Sequence, residues 1–333
     1  MNKFESFKKS ISLDFKENIK INISPATSFR NRCEFGYSNN AYVMYKNNKK
    51  IYLNDFPLAS TSIRRVMPIL LREIIKSQYL EEKLFQINFR SNSNNEVLAT
   101  LIYHKLVDNK VIEQLDIVSK KLNIGLIIRS KNFIHRIANE YLEDKINNMK
   151  IYQSDNCFYQ PNKFLLSKMV NKVESYITEP EDLLELYCGV GTFTLHLSKK
   201  FNNIFATENN RESIRCLDKA IIANNINNIF KSRLSAEELD EAFNGRNFYR
   251  MKDINLQQFN FSHVLVDPPR SGLTDEVISL ISKFKNIIYI SCNAETYVRD
   301  IKKISKHKIK KIEIFDQFPN TNHIELVSLL TTI

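Results

Sequence analysis

Leu184-Glu-Leu-Tyr-Cys-Gly-Val-Gly-Thr-Phe193 decides how the chain is read. Its apolar opening reads as a buried strand. Gly189-x-Gly191 follows directly and lets the backbone turn tightly and approach a ligand closely. A second strand, Ile204–Thr207, ends in Glu208, about twenty residues on, where a carboxylate can accept hydrogen bonds from two ribose hydroxyls. Strand, glycine turn, strand and acid in this order predict the start of a parallel α/β sheet with a nucleoside-type ligand at its edge.

The alternation continues on both sides of that start. Leu183–Tyr187, Ile204–Thr207, Ile229–Leu234, Val264–Val266 and Ile287–Ile290 read as strands. Ile214, Leu217, Ile221 and Ile222 mark one intervening helix; Val277, Leu280, Ile281 and Phe284 mark another. Such alternation predicts right-handed βαβ units and a sheet covered on both faces. Ile309–Phe315 and Ile324–Leu330 follow with no long helix between them. They predict a C-terminal antiparallel hairpin, for a seven-stranded, mostly parallel sheet of the Rossmann-like kind. The third glycine of the dinucleotide fingerprint falls at Thr194. S-adenosylmethionine, with adenosine but no pyrophosphate, suits this loop better than NAD.

Two further stretches end strands at the same edge. Asp267-Pro-Pro-Arg-Ser-Gly272 fixes a rigid turn without backbone donors and aims the Asp267 carboxylate into the edge cleft. Ile287-Ile-Tyr-Ile-Ser-Cys-Asn293 runs a buried strand into Cys292, with Val298, Ile301 and Ile304 at helical spacing beyond it. A thiol at such a junction feels the positive end of a helix, which predicts a lowered pKa. An aromatic after Asp-Pro-Pro would suit methylation of an exocyclic amine. The Arg270 found there, with Cys292 on the neighbouring strand, favours methylation of carbon through a covalent adduct.

Bulk properties limit what the protein can be. Five scattered cysteines among 333 residues, with no CxxC or HxxxH spacing, predict reduced thiols and neither a metal nor an iron–sulfur site. No apolar run is long enough for a membrane span, and the first residues lack a signal peptide's apolar stretch, so a cytoplasmic location is expected. The net charge of +11 is uneven: residues 1–150 carry +10 of it and residues 151–333 only +1. That asymmetry predicts a basic polyanion-binding domain, 1–150, joined to a catalytic domain, 151–333.

Within 1–150, Ala41–Lys46 and Ile51–Phe56 read as a hairpin, and Leu84–Arg90 with Val97–His104 as a second strand pair. Helices are expected from about Ile63, with Pro68 kinking or delaying its start, and over Val111–Leu122; Ile124–Ile128 reads as another strand. The module is a smaller α+β domain. Phe29-Arg-Asn-Arg32 interleaves aromatic and basic residues as a single-strand RNA surface does, and Phe85 and Arg90 can add to it. Residues 145–162 read as a polar junction, before an amphipathic helix through Leu166, Met169, Val170, Val173, Tyr176 and Ile177.

Phe29-Arg-x-Arg-x-Glu-Phe35, Asp55-Phe-Pro-Leu-Ala-Ser60, Leu84-Phe-Gln-Ile87, Tyr103-His-Lys105, Phe158-x-Gln-Pro-Asn162, Leu184-Glu-Leu-Tyr-Cys-Gly189, Val266-Asp-Pro-Pro-Arg-Ser-Gly-Leu273, Ser291-Cys-Asn293, Phe315-Asp-Gln-Phe-Pro319 and His323-x-Glu325 together span nearly the whole chain. In these motifs it resembles the S-adenosylmethionine-dependent RNA uracil-C5 methyltransferases, closest to the bacterial tRNA (uracil-5-)-methyltransferase branch, which forms ribothymidine in the T loop. The resemblance implies Cys292 as nucleophile and Glu325 as proton acceptor. It implies Gln160, Tyr187, Gly189, Thr192, Glu208 and Asp267 at the cofactor. Phe29, Arg30, Arg32, Phe85 and Arg270 are the RNA-binding candidates. It also implies a tRNA T arm as partner, with other T-like loops such as that of tmRNA, and a monomer without metal or iron–sulfur cluster. Three positions depart from the pattern: Thr192 stands for Asn, Ala294 for Pro, and Leu326-Val327 for Cys-Gly. None removes a reacting group.

Other readings stay open on sequence. An rRNA uridine is the alternative substrate. An NAD-dependent oxidoreductase accounts for the glycine turn and Glu208 but not for Cys292 or the basic half. A non-catalytic RNA-binding protein would have no use for Cys292.

Overall fold

The computed structural model describes residues 2–333 and consists of two large sheets with their helices and one two-stranded hairpin. The larger sheet has eight strands, in the order Lys20–Asn22, His307–Phe315, Glu325–Thr332, Asn286–Ser291, Phe261–Val266, Asp182–Leu186, Ile204–Thr207, Ile229–Ser232. From Asn286–Ser291 outward to Ile229–Ser232 all pairings are parallel. Glu325–Thr332 runs antiparallel between its neighbours, as the short connection before it requires. The central strands are buried on both faces, so they read as continuous apolar runs.

All seven expected strands of this sheet are present. The eighth comes from the other end of the chain: Lys20–Asn22 pairs parallel with Glu313–Phe315. The helix before it, Lys3–Ser10, buries Phe7, and Phe7 and Ile11 enter the same core as Leu184, Val266 and Tyr289. Three-residue strands carry too little periodicity to be read, which is why this segment escapes the sequence.

The smaller sheet has seven strands, from Arg32–Ser38 to Phe133–Ile137, antiparallel except where Val97–Tyr103 meets Gly125–Ser130 through the helix Asn109–Leu122. Thr61–Ile75 packs on the same sheet and contains Pro68 without interruption. Phe133–Ile137 was not expected. Nor was the hairpin Leu142–Ile146 and Met149–Gln153, which occupies part of the stretch read as a polar junction. Ile146, Ile151 and Tyr152 lie in the core with Leu183, Leu195 and Cys216. Residue 150 therefore falls inside a hairpin that touches both sheets, with Ile146, Ile151 and Tyr152 in the larger core and Leu142 on Leu98 and Ile127 of the smaller sheet, while residues 3–22 pack with the larger sheet.

No helix among the described residues is long and apolar enough to cross a membrane.

Candidate active site

Parallel strands end together, and here each end delivers one side chain. Tyr187, Glu208, Asp267 and Cys292 are each the first residue after Leu186, Thr207, Val266 and Ser291. Glu325 opens an antiparallel strand, so it starts at the same edge. Ser291 pairs with Leu326. One step further in that register, Cys292 stands beside Glu325, where neighbouring side chains lie about 5 Å apart. Gln160, Tyr187, Gly189, Glu208, Asp267, Arg270, Cys292 and Glu325 all line one cavity of about 370 Å³, with Phe158 and Phe318 as aromatic walls.

At one end the glycine turn and Glu208 hold each other. Glu208 Oε2 accepts the Gly189 N–H at 3.0 Å, and Oε1 accepts the Asn210 N–H at 2.7 Å. Gly189 and Gly191 have φ of 56° and 85°, and Tyr187 before them has φ of 60°. A Cβ at Gly191 would collide with Leu217, whereas one at Gly189 would meet no atom nearer than 3.9 Å. Gly191 is thus required by helix packing, and the open space at Gly189 is left for a ligand. An adenosine ribose fits this end: Glu208 is held by backbone and still has lone pairs to offer.

Deeper in, Gln160 Nε2 donates to Asp267 Oδ2 at 3.3 Å, and Gln317 Nε2 donates to Gln160 Oε1 at 3.4 Å. Burial lifts the Asp267 carboxyl to about 7, against the lowering effect of Gln160. Asp267 is half-buried and lines the cavity. Glu325 is 3% exposed, and burial raises it well above the carboxylate range; Asp267 adds to the rise and Arg270 opposes it.

The expected low thiol pKa at Cys292 is overturned. Asn293 caps the helix Ala294–Lys303, its side chain accepting the Glu295 N–H at 3.1 Å, so Cys292 lies outside the first turn. Burial first, then the charges of Glu325 and Asp267, push the thiol up to about 12, with Arg270 opposing. Burial, with two carboxylates adding to it, outweighs a half-charge whose effect fades beyond the first turn. Ala294 occupies the first helical position, where its missing ring costs little because Asn293 already sets the cap.

The other candidates separate. Thr192 is buried behind the glycine turn, its carbonyl accepting from the His196 ring at 2.8 Å, and it does not line the cavity. Phe29 is 2% exposed and offers no ring face to solvent. Arg90 is likewise buried and donates to Gln153 and to the carbonyls of Asp155 and Cys157; it ties the small sheet to the segment leading into Phe158. Arg30, Arg32 and Arg270 come together around a second cavity of about 360 Å³, between the two sheets, that shares Phe158, Pro161 and Phe318 with the first. Phe85 lies apart on the surface, stacked on His104 with ring centroids 4.1 Å apart. The sequence reading missed Phe158 and Phe318 as site residues, although both sat inside quoted motifs. An aromatic flanked by Gln160-Pro161 or Gln317-Pro319 was the available signal.

A Rossmann-like sheet, a glycine turn clasped by an acidic strand end, and Asp-Pro-Pro at the switch edge define an S-adenosylmethionine-dependent methyltransferase fold. The same architecture occurs in the Pyrococcus abyssi tRNA (uracil-54, C5)-methyltransferase, solved with S-adenosyl-L-homocysteine. That structure superposes with a TM-score of 0.79 over 99% of this chain and 83% of that one, at 21% identity. Residues 2–333 match the tRNA (uracil-5-)-methyltransferase family. Two tRNA/tmRNA (uracil-C(5))-methyltransferases are similar over nearly their full length. That of Campylobacter concisus is 39% identical over 98% of this chain and 92% of its own, and that of Campylobacter lari 42% identical over 91% and 90%. The chain belongs to the tRNA (uracil-5-)-methyltransferase family.

Proposed function

We propose that this protein methylates C5 of a uridine in the T loop of tRNA, at the position named in the Pyrococcus protein, uridine 54, through a covalent bond between Cys292 and C6. The observation that carries the reading is the placement of Cys292 beside Glu325 at the floor of a cavity whose other end is the Gly189–Glu208 clasp. The relatives named as tRNA/tmRNA methyltransferases support tmRNA as a second substrate. S-adenosylmethionine, when bound, supplies the electrophilic methyl group and a positive sulfonium.

Uracil C5 is too weak a nucleophile to take a methyl group unaided. Cys292 gives up its thiol proton to water, Sγ bonds to C6, and the C5=C6 electron pair is pushed toward C5 and O4. C5 then bonds to the methyl carbon as the sulfur–methyl bond breaks and its electron pair goes to sulfur. Glu325 removes the remaining C5 proton; that C–H pair restores C5=C6 and expels the Cys292 sulfur. A carboxyl raised by burial is a stronger base once ionised, which suits the abstraction. The Cys292 thiol is protonated at rest, so the nucleophile is formed only when the filled cavity offsets Glu325 and Asp267. Phe158 and Phe318 exclude water around a uracil drawn out of its loop.

The test uses RNA and S-adenosylmethionine with denaturing electrophoresis. Glu325→Gln should methylate and then stall as a slow, RNA-dependent band. That band should be missing in Cys292→Ala and in the double variant. A band that persists in the double variant would mean another nucleophile, and rapid turnover by Glu325→Gln another base.

A further inference from the structure

The loop 316–324 links the last two strands of the large sheet, carries Phe318 into the cavity wall and ends at Glu325. It has little regular structure of its own. What holds it is a residue more than three hundred positions earlier. Lys3, in the first turn of the N-terminal helix Lys3–Ser10, places its ammonium 2.6 Å from Asp316 Oδ1, 3.1 Å from the Phe318 carbonyl and 3.1 Å from the His323 carbonyl. Those three acceptors take all three of its N–H donors. They stand at the two ends of the loop, so one side chain closes its neck. Lys3 and Asp316 are 13% and 10% exposed, too sheltered for water to replace the pair cheaply.

The helix that presents Lys3 is itself anchored. Asn2 caps it through the Phe4 and Glu5 N–H groups, and Phe7 packs on Tyr297 with ring centroids 6.1 Å apart. Beside Asp316, its own N–H donates to the Asn22 carbonyl at 2.9 Å, and the buried Gln317 reaches Gln160 at 3.4 Å. The N-terminal segment therefore braces the same loop twice, and the loop connects to the Gln160–Asp267 pair.

We infer that Lys3 is a positioning residue for the reaction: it fixes Phe318 against the substrate base and sets where Glu325 begins its strand. The inference rests on the proposed role of Glu325. Loosening the loop displaces the base more than the nucleophile, because Cys292 is carried by a different strand. The slowed step is then proton removal, after the methyl group has been transferred, and the enzyme accumulates bound to RNA.

Lys3→Met, Lys3→Arg and Asp316→Asn are compared with wild type on a T-arm RNA. Lys3→Met is expected to lower kcat by about tenfold or more, with KM for RNA changing less and the fraction of RNA-linked enzyme rising. S-adenosylhomocysteine affinity should stay within about twofold, because the Gly189–Glu208 end is untouched. Lys3→Arg keeps the cation and should recover most of kcat. Asp316→Asn, which leaves both carbonyl contacts, should err in the same direction by less, and it serves as the test should Lys3→Met not fold. Wild-type kcat and adduct level in Lys3→Met, or a lower melting temperature as its sole change, overturns the inference. A wild-type enzyme that does not methylate the RNA overturns the function instead.

Discussion

Glu208 and Gly189 hold each other across two neighbouring strand ends: the carboxylate accepts the glycine N–H at 3.0 Å. The acid is therefore a structural clasp and, in the function proposed above, a ligand group as well. Glu208→Ala should weaken S-adenosylmethionine by about 10- to 100-fold, since a charged acceptor facing ribose hydroxyls is lost. Glu208→Gln, which keeps one carbonyl oxygen, should fall between. Calorimetric titration checks both, and unchanged affinity in the alanine variant would remove Glu208 from the cofactor end.

Cys292 should be slow to alkylate in the free enzyme. Its thiol sits near 12, held up by burial and by Glu325 and Asp267. At neutral pH the thiolate fraction is small, and it grows as pH rises. Glu325→Gln removes the neighbour whose charge raises the thiol, so iodoacetamide labelling should speed up by about tenfold at a pH high enough to ionise Glu325 in the wild type. Labelling followed by peptide mass spectrometry measures it. Equal rates in the two proteins would mean Glu325 does not act on the thiol.

A buried acid elsewhere gives a stability signature. Glu185 is 1% exposed, and neither of its oxygens has an aligned hydrogen-bond partner. Burial raises it to about 8, with Thr194 opposing and Asp267 adding to the rise. The folded protein therefore keeps a proton that the unfolded chain releases near the ordinary carboxylate value. Its contribution is present in full at acid pH and is lost as pH climbs through about 8. Glu185→Gln mimics the protonated form, so wild type should lose stability against the variant from pH 5 to pH 8, by a few kcal/mol at most, on the order allowed by linkage. Urea titrations at the two pH values read the difference; Asp267 and Glu325, shifted the same way, leave a slope in both proteins.

RNA affinity should depend on Arg30 and Arg32. Both line the second cavity with Arg270, and Arg32 pairs with Glu34 at 2.5 Å. Charge reversal at the two arginines should weaken T-arm binding by about tenfold or more at low salt and flatten its salt dependence, since phosphate contacts release counterions. Cofactor binding should not change. Filter binding across a salt series decides it, and an unaltered slope would place the RNA elsewhere.

The reaction half was legible because each strand announces itself twice, by an apolar run and by a chemically distinctive residue at its end. Glu208, Asp267 and Cys292 needed only the rule that parallel strands end at one edge; Tyr187 came with the resemblance. Glu325 could not be read that way. Its strand runs the other direction, and only the resemblance picked it out from among ordinary surface glutamates. The charge on Cys292 was misread because a helix end is a local signal, whereas Glu325 and Asp267 arrive from distant strands. Phe29 failed for a related reason: an aromatic between arginines looks the same in sequence whether its ring faces water or core. Lys20–Asn22 and Lys3 were invisible because their partners lie at the opposite end of the chain.

That last pairing bears on how the protein is made. Lys20 pairs with Glu313, so the first strand emerges from the ribosome about 290 residues before its partner exists. At roughly 5–20 residues per second the wait is about 15–60 s, and the core that Phe7 and Ile11 enter begins only with Leu184. The large sheet cannot close, nor Lys3 find its three acceptors, until residues 307–332 have been made. A segment made long before its partner strand is thus among the last to dock.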